Sequence, residues 1–258
     1  MQTGAITSYI DVAQLTLYAF WLFFAGLIFY LRREDKREGY PLLSDRSQRI
    51  AVVGFPPLPP VKTFIPKYGS PVQTPRAEAT EEMRGLVAGA WPGAPFVPLG
   101  NPMVDALGPA SYAQRADVPD PNFSDGSPKI VPLRAASGYS LATEDPDLIG
   151  WTVTGADAVV AGTVIDVWID RAEMIVRYLE VALTAPLPAR AVLLPSTFAV
   201  FSRGAREVRV SAILGEQFAD VPALQNADTV TLREEDRICG YYAGGFLYAT
   251  PERAEPLL

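Results

Sequence analysis

Residues 12–31, VAQLTLYAFWLFFAGLIFYL, carry no charge, and eleven of them are Val, Leu, Ile or Phe. A helix rises about 1.5 Å per residue, so roughly 20 such residues cross the hydrocarbon core of a bilayer. At roughly −0.3 to −0.6 kcal/mol each near the helix centre, the eleven favour insertion by about 3–7 kcal/mol before Gln14 and Thr16 are subtracted. The pattern predicts a transmembrane helix over 12–31. Charges resume at once with Arg32, Arg33, Glu34, Asp35, Lys36, Arg37 and Glu38, against Asp11 alone on the other side. Basic flanks stay cytoplasmic, which places the 1–11 tail outside and the remainder inside. Asp11 or Ser8 is the expected N-cap, and Tyr9, Tyr30 and Tyr40 suit the membrane interfaces. A cleaved signal peptide fits poorly: the run is too long, no basic segment precedes it, and no small-residue cleavage site follows.

Past the anchor, Gly39-Tyr40-Pro41-Leu42 should break the helix, because proline disfavours helical geometry in the residue before it. From Gly54 to about Pro132 neither the helical nor the strand period persists. Proline and glycine recur, as in Phe55-Pro56-Pro57-Leu58-Pro59-Pro60, Ala90-Trp91-Pro92-Gly93-Ala94-Pro95 and Gly108-Pro109. Such composition often marks a disordered linker. Here Phe55, Phe64, Trp91, Phe96, Met103 and Tyr112 are interleaved with the prolines. That many large apolar groups point instead to extended chain laid over another surface.

From Lys129 onward the period is that of strands. Residues 174–183 alternate, with Met174, Val176, Tyr178 and Glu180 on one face and Ile175, Arg177, Leu179, Val181 and Leu183 on the other. Residues 162–170 are rich in β-branched and aromatic side chains, and Asp170-Arg171-Ala172-Glu173 reads as the turn of a hairpin. Residues 191–194, 197–201 and 207–211 are further short strands, with a turn at Arg203-Gly204. Together they predict a small antiparallel barrel or sandwich. Two helical stretches follow: a brief one over 213–218, and one from Arg233 to about Ala243. The second opens on Glu234, Glu235 and Asp236, which suit a helix N-terminus, and should stop at Gly244-Gly245.

The 258 residues carry a net charge of −7. After the anchor, enough chain remains for one sizeable domain. The acidic balance argues against nucleic acid as a partner. A lone cysteine, Cys239, excludes an internal disulfide framework. Acidic neighbours should raise its pKa and leave it inert. Histidine is absent, which removes the commonest general base and metal ligand. No nucleophile elbow, P-loop, H-E-x-x-H or C-x-x-C occurs. Gly240-Tyr-Tyr-Ala-Gly-Gly245 lacks dinucleotide-binding spacing and reads as a helix end. Carboxylates remain: Asp166, Asp170, Glu173 and Glu180 on one hairpin, Asp117, Asp120 and Asp125 in the preceding loop, and Glu234, Glu235 and Asp236 later. They form either an ordinary solvated face or a surface that gathers protons and relays them to a partner.

The chain resembles the H subunit of the photosynthetic reaction centre of purple bacteria along nearly its whole length. The stretches that carry the resemblance are YLRREDKREGYPL (30–42), VKTF (61–64), GNPMVDALGPASYAQRAD (100–117), KIVPLRAASGYS (129–140), AGTVIDVWIDRAE with RYLEV (161–181) and TLREEDRICGYYAGGFLYATPERAEPLL (231–258). The resemblance implies a non-enzymatic subunit with one membrane helix and a cytoplasmic PRC-barrel. Five divisions are then expected: a periplasmic tail (1–11), the transmembrane helix (12–31), an extended cytoplasmic segment packed on partner subunits (32–132), a PRC-barrel-like domain with a terminal helix (133–248) and a C-terminal tail (249–258).

The resemblance further implies a place in the bacterial inner (intracytoplasmic) membrane, over the L and M subunits. Those neighbours would hold the bacteriochlorophylls, bacteriopheophytins, quinones, non-haem iron and any carotenoid, with this chain ligating none of them and no metal. A cytochrome subunit, a light-harvesting ring and membrane lipids are further expected companions. The implied role is to stabilise the L/M core, shield the quinone sites and support proton delivery to the secondary quinone. Glu173 matches a family position on the proton path, with Asp170 and Arg177 close by in the same hairpin. Some family members carry a histidine pair in the loop before the Lys-Ile block, where inhibitory transition metals bind. Here that loop reads Asn122-Phe-Ser-Asp-Gly-Ser-Pro128, leaving Asp125 alone to act similarly, and weak or no zinc inhibition is expected. Two other readings compete: a membrane-anchored barrel that docks or assembles an unrelated complex, and a membrane-anchored enzyme, for which nothing converges on a site.

Overall fold

Helix α1 runs Val12–Glu34 in a computed structural model that describes residues 11–44, 47–76, 84–89, 91 and 93–254. Ser8, Tyr9, the rest of the tail before Asp11, Ala90, Pro92 and the last four residues lie outside the described residues. Asp11 is the N-cap, its Oδ1 accepting from the Gln14 N–H at 2.7 Å. The helix ends three residues later than predicted. Arg32 and Arg33 extend it rather than end it, because cations complement the negative C-terminal end of the helix dipole. A single 3₁₀ turn, Asp35–Arg37, follows. No residue of α1 is buried, and it is long and apolar enough to cross a membrane.

The described chain falls into two compact units, one over 1–81 with 91–93 and the other over 82–90 with 94–258. The first holds two small antiparallel hairpins, the second of them inside the 54–132 stretch expected to lack strands. Strand β1 (Leu42–Ser44) pairs with β2 (Ser47–Val52), and β3 (Lys62–Phe64) with β4 (Val72–Thr74). The three-residue strands β3 and β4 leave no periodicity to read. Proline removes backbone donors, so the carbonyls of a proline-rich chain need other partners. Here cationic side chains supply them. Lys36 Nζ donates to the carbonyls of Val53 (2.6 Å) and Pro56 (2.7 Å). Arg37 donates to those of Pro60 and Thr74.

The second unit opens with the hairpin of β5 (Gly85–Val87) and β6 (Phe96–Pro98). Seven strands then form one sheet: β7 (Ile130–Pro132), β8 (Thr152–Thr154), β9 (Val160–Asp170), β10 (Ile175–Leu183), β11 (Ala191–Pro195), β12 (Ala199–Ser202) and β13 (Glu207–Val210). The order is β11-β10-β9-β8-β13-β12, with β7 also on β9. The sheet curls into a half-barrel. The predicted small barrel is thus present as a half-barrel whose end strands are β11 and β12, with one departure from antiparallel pairing: β13 lies parallel to β8. The 162–183 hairpin is present as predicted, but its alternation is not strict. Bulges leave Arg177 and Ile165 without opposite residues, so Tyr178 and Leu179 are both buried.

Helix α2 (Leu232–Tyr248) lies over the half-barrel, and Ile238, Tyr241 and Tyr242 join Trp168, Leu179, Leu193, Ile213 and Phe218 in the core. It runs through Gly244-Gly245 instead of stopping there. Those glycines serve close packing: a Cβ on Gly244 would lie 2.5 Å from Ala110 Cβ, and one on Gly245 2.4 Å from the Ala212 carbonyl oxygen. The brief helix expected over 213–218 is a 3₁₀ turn at Glu216–Asp220, and the strand expected from Thr197 starts at Ala199 after another 3₁₀ turn. Met103, Leu107, Ala110 and Ile130 are buried in this unit. Much of the 94–132 stretch thus covers the chain's own body, while Phe55, Phe64, Trp91 and Phe96 remain exposed.

Candidate functional site

The turn of the β9–β10 hairpin gathers the ionisable groups. Asp170 ends β9 with no exposed surface. Its Oδ1 accepts from the N–H groups of Ala172 (2.9 Å) and Glu173 (3.0 Å), which fixes the turn. Its Oδ2 faces Lys129 Nζ at 3.2 Å, and the same ammonium lies 3.2 Å from Glu173 Oε1 and 3.9 Å from Asp120 Oδ2. Lys129 is placed there by the sheet, since its neighbour Ile130 pairs with Asp170. Burial opposes the charge on Lys129, but hydrogen bonds and attraction from Asp170 and Glu173 outweigh it and raise its pKa.

From this cluster a chain of contacts runs back to Asp125. Arg171 Nη2 donates to Ser127 Oγ at 2.5 Å and to the Pro128 carbonyl. Ser127 donates to Asp125 Oδ1 through both its hydroxyl (2.6 Å) and its N–H (3.0 Å). Those two bonds hold the Asp125 carboxyl below the usual aspartate range.

On the other side lies a buried pair. Tyr178 donates its hydroxyl to Glu235 Oε2 at 2.8 Å, and both residues are buried. Burial pushes the Glu235 pKa up, and the negative charge of Asp120 adds to that. The Tyr178 hydrogen bond and the charges of Arg177 and Arg115 oppose it. Burial, then Glu235, likewise raises the Cys239 thiol, as expected for an inert cysteine. A separate cluster surrounds Arg134 Nη1, which lies 2.9 Å from Asp166 and 2.5 Å from Glu180, while Glu180 also accepts from Trp168 Nε1. This second network ties the β9–β10 hairpin to the 133–135 turn and to Asp228.

The structure thus brings Glu173 and Asp170 together on Lys129. It joins Asp125 to them only through Ser127 and Arg171. It sets Arg177 at a bulge, beside Glu235 rather than beside Glu173. The acidic run at the start of α2 divides into three roles. Glu234 completes a capping box with Thr231, Glu235 pairs with Tyr178, and Asp236 meets Arg115 at 3.3 Å. Lys129 and Tyr178 were not legible as members of the site. Their partners lie 44 and 57 positions away, and nothing local marks either residue. Among the described residues no group of three His, Cys, Asp or Glu is placed to hold a metal ion.

An exposed apolar helix, cation-clamped hairpins and a curled half-barrel capped by a helix define a membrane-anchored scaffold subunit. The family model for the photosynthetic reaction centre H-chain N-terminal region matches residues 4–135, and that for the PRC-barrel domain matches residues 143–217. The chain belongs to the photosynthetic reaction centre H-chain family, a structural subunit associated with the L and M subunits of that complex.

Proposed function

We propose that this H chain, besides stabilising the L/M core and covering the quinone sites, helps deliver protons to the secondary quinone. The observation that carries this reading is the row of ionisable groups from Asp125 through Asp170, Lys129, Glu173 and Asp120 to Glu235. Glu173 is half exposed, with 54% of its side-chain surface open, and can exchange protons with water. Glu235 is buried with its pKa raised by that burial, so it takes up a proton more readily than an exposed glutamate does. Asp125, held low, stays ionised and acts through its fixed charge.

The pigments, quinones, non-haem iron and any carotenoid are assigned to the L and M subunits. Chlorophyll magnesium and iron are commonly held by imidazole, and this chain has no histidine to offer. The basic exit of α1 favours a cytoplasmic half-barrel and a periplasmic N-terminus. A cytochrome subunit and a light-harvesting ring are compatible additions to the same assembly.

Two measurements test the proposal. Complex purified through this chain should show near-infrared bacteriochlorophyll bands that bleach reversibly in light; a colourless preparation from pigmented membranes would favour an unrelated adaptor. In intact complex, Glu173→Gln keeps shape and removes the titratable proton, so it should slow proton-coupled reduction of the secondary quinone. Unchanged turnover removes Glu173 from the path.

A further inference from the structure

Phe55 is 84% exposed, yet its ring centroid lies 5.7 Å from that of Phe29. Phe29 stands two residues before Leu31, the last apolar residue of the α1 run, or roughly 3 Å inside its end at the helical rise. The chain has therefore left the helix, turned back and set an aromatic side chain level with the final turn of the span. Lys36 holds it there. Its side chain is 5% exposed, its ammonium donates to the Val53 and Pro56 carbonyls on either side of Phe55, and the charge also sits 5.2 Å from the Tyr40 ring centroid. The cation is thus consumed internally and leaves the surface beside Phe55 apolar.

We propose that the 53–56 loop is an interfacial membrane anchor, with Phe55 lying in the boundary between headgroups and acyl chains and Lys36 acting as its clamp. The occupant of this surface is lipid. The Phe55 ring continues the exposed apolar face of α1 at Phe29, Tyr30 and Leu31, the part of the molecule already built for acyl chains. Arg32, just past the apolar run with 69% of its side chain open and only a long, exposed contact of 3.9 Å to Asp35, adds positive charge that phosphate headgroups favour. The loop would set the depth and rotation of α1, which a uniformly apolar helix cannot set alone. This inference rests on α1 being the membrane span.

The test uses intact complex in native-lipid nanodiscs, with Phe55→p-benzoylphenylalanine as a photocrosslinker. Illumination should add a lipid mass to this chain, and Lys36→Gln in the same background should reduce that adduct severalfold. A crosslink to another subunit, or no adduct at all, overturns the anchor. The same crosslinker at Leu22, in mid-span, separates the two ideas. If Leu22 yields neither a lipid nor a subunit adduct, the span itself is refuted; if it yields one and Phe55 yields no lipid, only the anchor fails. Should the Phe55 variant not assemble, the full chain inserted into phosphatidylcholine vesicles gives the same readout.

Discussion

In the half-barrel unit, Trp168, Leu179, Leu194 and Phe218 have no exposed surface, whereas in the anchor unit Phe55, Val61 and Ile65 are 84, 64 and 82% exposed and the lysine Lys36 is buried. The first unit closes its core with its own helix, α2. The second has two small hairpins, which alone are marginal in water, and holds them with cation-to-carbonyl bonds from the end of α1. One unit brings its apolar surface inside by folding. The other leaves that surface exposed. The aromatic, proline-rich stretch therefore divides: its 94–132 part covers the chain's own half-barrel unit, while Phe55, Val61 and Ile65 in its first part stay exposed.

The strongest way to break this contrast is to cut into each unit equally. Trp168→Ala should destabilise the half-barrel by about 3–5 kcal/mol, the range for losing a large buried aromatic. Phe64→Ala, at a position 42% exposed, should cost no more than about 0.5 kcal/mol. Urea unfolding of the full chain in detergent, followed by circular dichroism, checks both. Similar losses would show that the anchor unit has a core of its own.

Next in size is the clamp. Lys36→Met removes two charge-assisted hydrogen bonds, each worth about 1.5–3 kcal/mol locally, and should speed protease cleavage within 53–64. The urea midpoint of the half-barrel should not move. A shifted midpoint would mean that the two units unfold together.

Within the half-barrel, Tyr178→Phe takes a hydrogen-bond donor from the buried Glu235 carboxyl group and should cost about 1–3 kcal/mol. The pH dependence has a definite sign. The Glu235 pKa is raised above the ordinary 4.5, so over the window from that value to the folded value the native state binds more protons than the unfolded one. Stability therefore falls as pH rises through the window. Glu235→Gln should flatten that fall. An unchanged slope in the variant would assign the pH dependence to another group.

How much of this was legible depended on how far apart the partners sit. The anchor was readable because a charge-free run and its basic exit are local facts. The 162–183 hairpin was readable because its turn lies between two β-rich runs. The end of α2 was misread because Gly244-Gly245 has the composition of a stop; only the approach of Ala110 and Ala212, more than thirty positions away at the nearest, shows why glycine is needed inside the helix. Met103 falls in the stretch expected to lie over another surface, and the surface it packs on is the chain's own core, at 3% exposed. Of the site, Glu173 stood out only through the family resemblance, with Asp170 beside it in the same turn. Glu235 looked like one of three solvated acids until Tyr178 was placed against it.

The smallest effect is expected at Asp125, where the half-barrel unit again satisfies its own polar groups. Both hydrogen bonds to this carboxylate come from Ser127 two residues away, and they keep it ionised. Its pKa is lowered on folding, so whatever stability it adds is present above the ordinary aspartate value and is lost as pH falls through the folded one. A carboxylate so engaged, in a loop without histidine, is a poor zinc ligand. Added zinc should leave secondary-quinone reduction unchanged in the parent complex and in Asp125→Ala alike. Asp125→Asn should slow that reduction less than Glu173→Gln does, because it removes a fixed charge from the surface and not a proton carrier beside Lys129. Strong zinc inhibition abolished by Asp125→Ala would reverse the assignment, making the 122–128 loop a proton uptake point with an open coordination site.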